Sequence, residues 1–503
     1  MRELPIIERA SAHGARMAIR SPAGTSTYGE LVASSATIAA TLLDGHSDLQ
    51  EARIAYLIPA GERYVQAQWG IWRAGGIAVP LGTSATEKEL EYVLTDSQTD
   101  AVIVASELAE RIAAVCDRLG VRMVSTGDRP SATAPLPEVD PNRRAMILYT
   151  SGTTSRPKGV VTTHACIQAQ IETLIAAWRW QPNDRIPLFL PVHHIHGIIN
   201  IMSCALWSGA EVEAFPKFDL DAVLRRVAER AYSLFMAVPT IYVKLIERLE
   251  DLCLSEREPI VQGFSQMRLM VSGSAALPAS VHDKWRELTG QELLERYGMT
   301  EIGMALANPY DGERRPGTVG QPLNAVEIRL QGESGELVVG EGVAGEIQVR
   351  GPGVFKEYWN RADATGDSFV DGWFRTCDIG VIEDGYYRIL GRRSVDIIKS
   401  GGYKLSALEI ESCLLDHPAI AQCAVVGVPD GKWGEVVATA VVLKAGESLD
   451  AESLHAWCVG RISHYKIPYR LLVVEELPRN AMGKVEKRAI ARLFYAVEVE
   501  SPK

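Results

Sequence analysis

The sequence predicts an α/β protein with a large N-terminal domain of parallel α/β sheets, a small β-barrel-like subdomain, and a small α+β C-terminal domain. Three observations lead there. The 503 residues exceed the roughly 150 expected of one domain. A hydrophobic fraction of 47% beside 23% charged residues is enough for a large buried core. Short apolar runs also alternate with helix-period segments along most of the chain.

Taken in order, residues 53–57, 77–80, 100–105 and 123–125 are apolar runs of strand length. The intervening segments 28–43, 63–74 and 87–94 repeat apolar residues at helical spacing. Strand–helix repetition of this kind implies parallel strands covered on both faces. Residues 126–143, rich in Pro with Asp and Thr, read as a linker. Alternation resumes over 186–276. Between 317 and 390 the texture changes: AVEIRLQ, GEIQVR, GWFRTCD and DGYYRIL alternate with period two between Gly and Asp punctuation, which marks an antiparallel sheet or small barrel. Beyond Gly391-Arg392-Arg393-Ser394 a compact unit is expected, with helices at 407–415 and 454–461 and strands at 421–428 and 436–443.

Charge and composition exclude several classes. Lys+Arg 52 against Asp+Glu 63 gives −11, spread along the chain, whereas nucleic-acid and membrane-surface binders present a basic face. No apolar run approaches the roughly 18 residues of a membrane helix. The N-terminal residues lack the apolar stretch of a secretory signal. The eight cysteines include no C-x-x-C pair, so they read as thiols of a reducing, cytoplasmic compartment.

The segment most informative about chemistry is LYTSGTTSRPKGV, residues 148–160. After a strand-like run come the five hydroxyl-bearing residues Thr150, Ser151, Thr153, Thr154 and Ser155, then Lys158 between Pro157 and Gly159. Small residues let backbone N–H groups approach an anion, while hydroxyls and an ammonium donate to phosphate oxygens. It is not a Walker A loop, because Pro157 stands where the second Gly belongs. The competing reading is a Ser/Thr-rich hairpin turn with a surface lysine.

This loop resembles the phosphate-binding loop of the adenylate-forming superfamily of acyl-CoA synthetases, luciferases and peptide-synthetase adenylation domains. RYGMTE (296–301), GWFRTCD (372–378), Gly391-Arg392 with DIIKSGGYK (396–404), and PRNAMGK (478–484) match in the same order, so the resemblance spans essentially the whole chain. It implies an N-terminal acid- and ATP-binding domain over 1–391, a hinge at 392–394 and a C-terminal lid over 395–503. It also implies site residues. Thr150, Ser151, Gly152, Thr153, Thr154 and Lys158 would cradle phosphates, and Glu301, beside Thr300, would hold Mg²⁺ on ATP. Tyr297 and Gly298 would lie against adenine, with Gly273, Ser274 and Ala275 along its other side. Asp378 and Arg392 would take the ribose. Lys484 would serve the adenylation step, and Lys399, Gly401 and Gly402 would form the thiol channel for CoA after the lid rotates. Two positions depart from the superfamily, Ser155 and Cys377, each standing where Gly is usual.

For the acid, LPVHHIHG (190–197) is similar to the segment that walls the carboxylate pocket, with His194 at the matching position and Met304 as a further lining candidate. A zinc reading of the three histidines lacks a carboxylate or Cys at ligand spacing. Arg296 is the sharper clue. ERYGMTE resembles the malonyl-CoA synthetase branch, in which the Arg holds the carboxylate that does not react. A guanidinium in an acyl pocket is costly unless an anion meets it, and a short dicarboxylate supplies that partner. The alternative is an internal pair with Glu292 or Glu295.

The expected activity is an ATP- and Mg²⁺-dependent malonate:CoA ligase that also takes methylmalonate and releases AMP and pyrophosphate. The alternatives are a CoA ligase for another short- or medium-chain acid, and an adenylation enzyme loading a separate carrier protein. The partners expected are a small dicarboxylate, ATP and CoA, with no nucleic acid, no membrane and the subunit number left open.

Overall fold

The computed structural model describes residues 3–125, 127, 135–150, 157–401, 403–431, 433–479 and 485–496. Ser151, Gly152, Thr153, Thr154, Gly402 and Lys484, all expected at the site, lie outside the described residues.

The first sheet has seven strands in the order Glu357–Tyr358, Lys158–Thr163, Arg144–Thr150, Ile77–Pro80, Arg53–Leu57, Ala101–Val104 and Arg122–Ser125. Its last five strands are parallel. Their unbroken apolar runs follow from burial on both faces: Ile54, Tyr56 and Ile103 enter one core, while Ala55, Leu57, Val102 and Val104 enter another. The flanking helices begin where the sequence offers a cap. Thr27 and Glu30 form a reciprocal capping box at Tyr28–Leu43, as do Thr86 and Glu89 at Glu87–Asp96.

A second sheet places Leu234–Ala237, Leu269–Ser272 and Leu294–Met299 side by side in parallel, and Gly303–Ala307 turns back antiparallel on the last of these. The region expected to be barrel-like is an antiparallel sheet of Glu327–Gln331, Gly345–Arg350, Trp373–Glu383 and Phe369–Val370, with Tyr386–Arg392 also paired to Trp373–Glu383. The C-terminal unit has its own cores and five strands: Tyr403–Ser406, Ile397–Ser400, Gly434–Leu443, Ile420–Asp430 and Arg470–Val473.

Two details differ from the sequence expectation. The helix expected at 454–461 occupies Ala451–Cys458, because the Asp450 side chain accepts the Ser453 N–H at 2.7 Å and starts the helix early. The strand Arg470–Val473 was not expected, since its pairing with Gly434–Leu443 is a parallel, long-range contact. Among the described residues no helix is long and apolar enough to cross a membrane.

Candidate active site

The strand Leu294–Met299 carries the centre of the site. The Tyr297 hydroxyl donates to Asp378 Oδ2 at 2.6 Å, and Arg392 Nε donates to Asp378 Oδ1 at 3.0 Å. Sheet register explains the second contact, for Asp378 faces Arg392 directly across the antiparallel pair. Burial works against the Arg392 charge, yet the Asp378 carboxylate more than offsets it and its pKa rises. Burial, with Asp378 alongside, lifts the Tyr297 phenol well above its ordinary range, so it stays a neutral donor. Cys377, just before Asp378, sits at φ +60°, the left-handed region a β-carbon disfavours. That explains the glycine usual at this position. The Cys377 conformation is held by its N–H on Glu346 Oε1 (3.2 Å) and by its carbonyl accepting the Arg393 N–H (3.0 Å).

The phosphate loop, residues 151–157, joins Arg144–Thr150 to the antiparallel strand Lys158–Thr163. The flanking strands thus form a hairpin, which is compatible with the anion-binding loop expected between them. Lys158 Nζ lies 4.6 Å from the centroid of the Tyr358 ring, on the edge strand paired to Val160 and Val161. The Tyr358 hydroxyl donates to Glu301 Oε1 at 2.9 Å. Burial raises the Glu301 pKa, opposed by the Tyr358 bond and by the charges of Arg392 and Lys158. Lys158, Glu301, Tyr297, Asp378 and Arg392 are therefore one electrostatic neighbourhood. Thr300 is half-buried in the turn before Glu301, and Thr150 closes the hairpin opposite Lys158.

Arg296 lies alongside, 4% exposed. No ion pair joins it to a carboxylate among the described residues, and its Nε finds no acceptor there. The two acids in question are engaged elsewhere: Glu292 faces Arg286 at 3.7 Å, and Glu295 accepts the Gly317 N–H at 3.1 Å. Burial alone pushes the guanidinium down to about 9, which leaves it charged at neutral pH. Room for it comes from Gly273, where a β-carbon would stand 2.5 Å from the guanidinium carbon. Arg296 Nη2 reaches Ser274 Oγ at 3.5 Å, and the same oxygen is 3.1 Å from His196 Nδ1. Ser274 holds φ +71° and is exposed, as is Ala275, so the buried charge lies just beneath an open rim. His196 is kept neutral, its pKa lowered by burial and then by the Arg296 charge.

His196, the last histidine of LPVHHIHG, thus lies beside Arg296. It opens a buried π-helical turn, His196–Ser203, a feature often found at functional sites but without a periodic sequence signal. The His194 ring packs 4.1 Å from that of His193. Met304 is in the core, its methyl 2.5 Å from where a Gly298 β-carbon would stand, so it backs that glycine. Lys399 and Gly401 lie on the hairpin Ile397–Ser400/Tyr403–Ser406, where Lys399 N–H donates to Glu435 Oε2 (2.7 Å) and Gly401 N–H to the Trp433 carbonyl (2.8 Å). No hydrogen bond or ion pair joins either to Lys158, Tyr297, Glu301 or Asp378 among the described residues.

Glu295 carries its own prediction. Burial raises its carboxyl to about 8, so the fold takes up a proton that the unfolded chain releases at lower pH. Stability from this group is full below the ordinary carboxylate range and is lost as pH rises through about 8. Thermal unfolding from about pH 5 to 8 should show a falling midpoint, and Glu295→Gln should flatten that fall.

Known proteins resemble this chain along nearly its whole length. Residues 6–359 match the model of the AMP-binding enzyme family, and residues 409–484 match that of the AMP-binding enzyme C-terminal domain. Malonate–CoA ligase ACSF3, mitochondrial, of Homo sapiens is 43% identical over 537 residues, covering 98% of this chain and 92% of that protein. ATP-bound MatB from Rhodopseudomonas palustris superposes with TM-score 0.87 at 33% identity, covering 98% of this chain and 99% of that one. The apo form of the same protein superposes at 0.78, with the same identity and coverage.

Proposed function

The chain belongs to the AMP-binding enzyme family, and from that premise we propose that it is an ATP-dependent malonate:CoA ligase, forming malonyl-CoA through a malonyl-adenylate and releasing AMP and pyrophosphate. Methylmalonate, which differs by one methyl group, is the second acid we assign to it. The observation that carries the choice of acid is Arg296: a buried guanidinium with no acid partner among the described residues, beneath a rim open at Ser274. Leaving a charge buried and unpaired costs several kcal/mol, and a diacid's spectator carboxylate would remove that cost through a bidentate bond.

The chain's own residues suit the chemistry. A carboxylate is already deprotonated at neutral pH, so attack on the α-phosphate needs no general base. It needs positive charge and donors fixed where anions meet. Lys158 and, by position, Lys484 supply charge, and the Asp378–Arg392 pair with Tyr297 would fix the nucleoside. Mg²⁺ fits as an ion carried in on ATP, because Glu301 offers a hard oxygen while no group of three His, Cys, Asp or Glu forms a cage among the described residues. When bound, that ion would offset phosphate charge. A cytoplasmic location and a role in fatty-acid metabolism complete the proposal, the first on the thiol content of the sequence and the second on malonyl-CoA as a product.

The decisive assay is AMP release with CoA across malonate, methylmalonate, succinate, acetate and a medium-chain fatty acid. Preference for malonate is expected, and preference for acetate or the fatty acid would overturn the reading. Gly273→Ala gives a finer check. Its methyl must displace the guanidinium, so malonate KM should rise about tenfold or more, since a misplacement near 1 Å can cost that much. A malonate KM equal to that of the parent would refute the role given to Gly273.

A further inference from the structure

The C-terminal unit buries an ion cluster that the chemistry above does not use. Lys487 Nζ lies 2.6 Å from Asp396 Oδ1 and 2.7 Å from Glu411 Oε1. All three side chains are 13–15% exposed. Burial alone would strip the charge from Lys487, and the two carboxylates hold it there.

Each member stands at a mechanically distinct point. Asp396 ends the turn that follows the strand Tyr386–Arg392, where its Oδ2 accepts the Arg392 N–H (2.9 Å) and its own N–H donates to the Arg392 carbonyl (2.8 Å). Arg392 is the residue whose side chain holds Asp378. Glu411 belongs to the helix Ala407–Leu415 and also accepts the Val425 N–H at 2.7 Å, which ties it to the strand Ile420–Asp430. Lys487 is the first residue of the helix Lys487–Ala496, three residues after Lys484. The segment containing Lys484 is closed at its neck by the Arg479–Val485 bridge and by the Glu486 N–H on the Pro478 carbonyl (2.8 Å). Lys487 follows that neck directly.

A continuous series of bonds thus runs from Asp378 through Arg392, Asp396 and Lys487 to the base of the Lys484 segment. We propose that Lys487 is a positioning residue for the adenylation step: its pairing with Asp396 and Glu411 fixes the Lys484 segment to the hinge side of the lid, so that lid and lysine turn as one body. The inference rests on the adenylate-forming reading. The thioester step, which that reading assigns to the hairpin at Lys399–Tyr403, has separate anchors in Glu435 and Trp433 and should not depend on Lys487.

The test measures the two half-reactions separately, using the acid the parent enzyme prefers: acid-dependent pyrophosphate exchange, and CoA-dependent discharge of a supplied acyl-adenylate. In Lys487→Met, exchange should fall about tenfold or more, as expected when a charge in the transition state is displaced, while discharge stays within about twofold of the parent. Lys487→Met leaves two buried carboxylates together and can lower stability. The double variant Lys487→Met, Glu411→Gln relieves that repulsion and should recover the unfolding midpoint while keeping the exchange defect. Lys487→Arg should restore exchange. Equal losses in both half-reactions, or exchange that recovers along with stability in the double variant, would overturn the proposal. Absence of pyrophosphate exchange in the parent with every acid would instead reject the ligase reading itself.

Discussion

Arg296→Leu should lower kcat/KM for malonate by roughly 10²–10⁴-fold, because truncating one partner of a buried, hydrogen-bonded charge pair costs about 3–5 kcal/mol. Acetate turnover should hold or improve. Leu fills the space of the removed side chain, and a monocarboxylate brings no second charge into the apolar surroundings that then remain. The fold should tolerate the change, since among the described residues the guanidinium has no acid partner to strand. Replacing a buried, unpaired charge with an apolar group relieves a desolvation cost, so the unfolding midpoint should stay level or rise. Steady-state kinetics on both acids with a thermal melt checks all three outcomes. Unchanged malonate kinetics would remove Arg296 from the substrate site.

Lys484→Ala should depress pyrophosphate exchange by about 10²–10³-fold, the effect of deleting one donor to a developing oxyanion, some 3–4 kcal/mol. Discharge of a supplied acyl-adenylate by CoA should persist, because phosphorus is then only part of a leaving group and the charge of the entering acid is gone. Loss of both half-reactions to the same degree would show that Lys484 serves nucleotide binding generally and not the first chemical step. The nucleotide KM distinguishes these cases, since a residue acting only in the transition state lowers kcat and leaves KM in place.

The sequence is legible where information is local. Arg53–Leu57 and Ile77–Pro80 form as expected because a short apolar run fits only a strand buried on both sides. Motif residues such as Tyr297, Glu301, Asp378 and Arg392 could be named from resemblance, and the fold brings them together. What the chain hides is adjacency between distant segments. Whether Arg296 pairs with Glu292 or Glu295 stays open in sequence, since all three lie within five positions, and it closes only when Gly317 and Arg286 are seen to engage those acids. His196 lies 78 positions from Ser274 and 100 from Arg296, and the Lys487 cluster draws on segments 76 and 91 positions upstream. No periodicity announces such neighbours.

Many nucleotide-binding loops lead straight into a helix, whose macrodipole presents about half a positive charge to the anion. Here the chain leaves the loop as a strand, Lys158–Thr163, and strand dipoles largely cancel. On the proposed reading, the triphosphate would be held without a helix dipole, by loop N–H groups and hydroxyls together with ammonium groups, and the ammonium share of that hold is of the kind that dissolved electrolyte weakens.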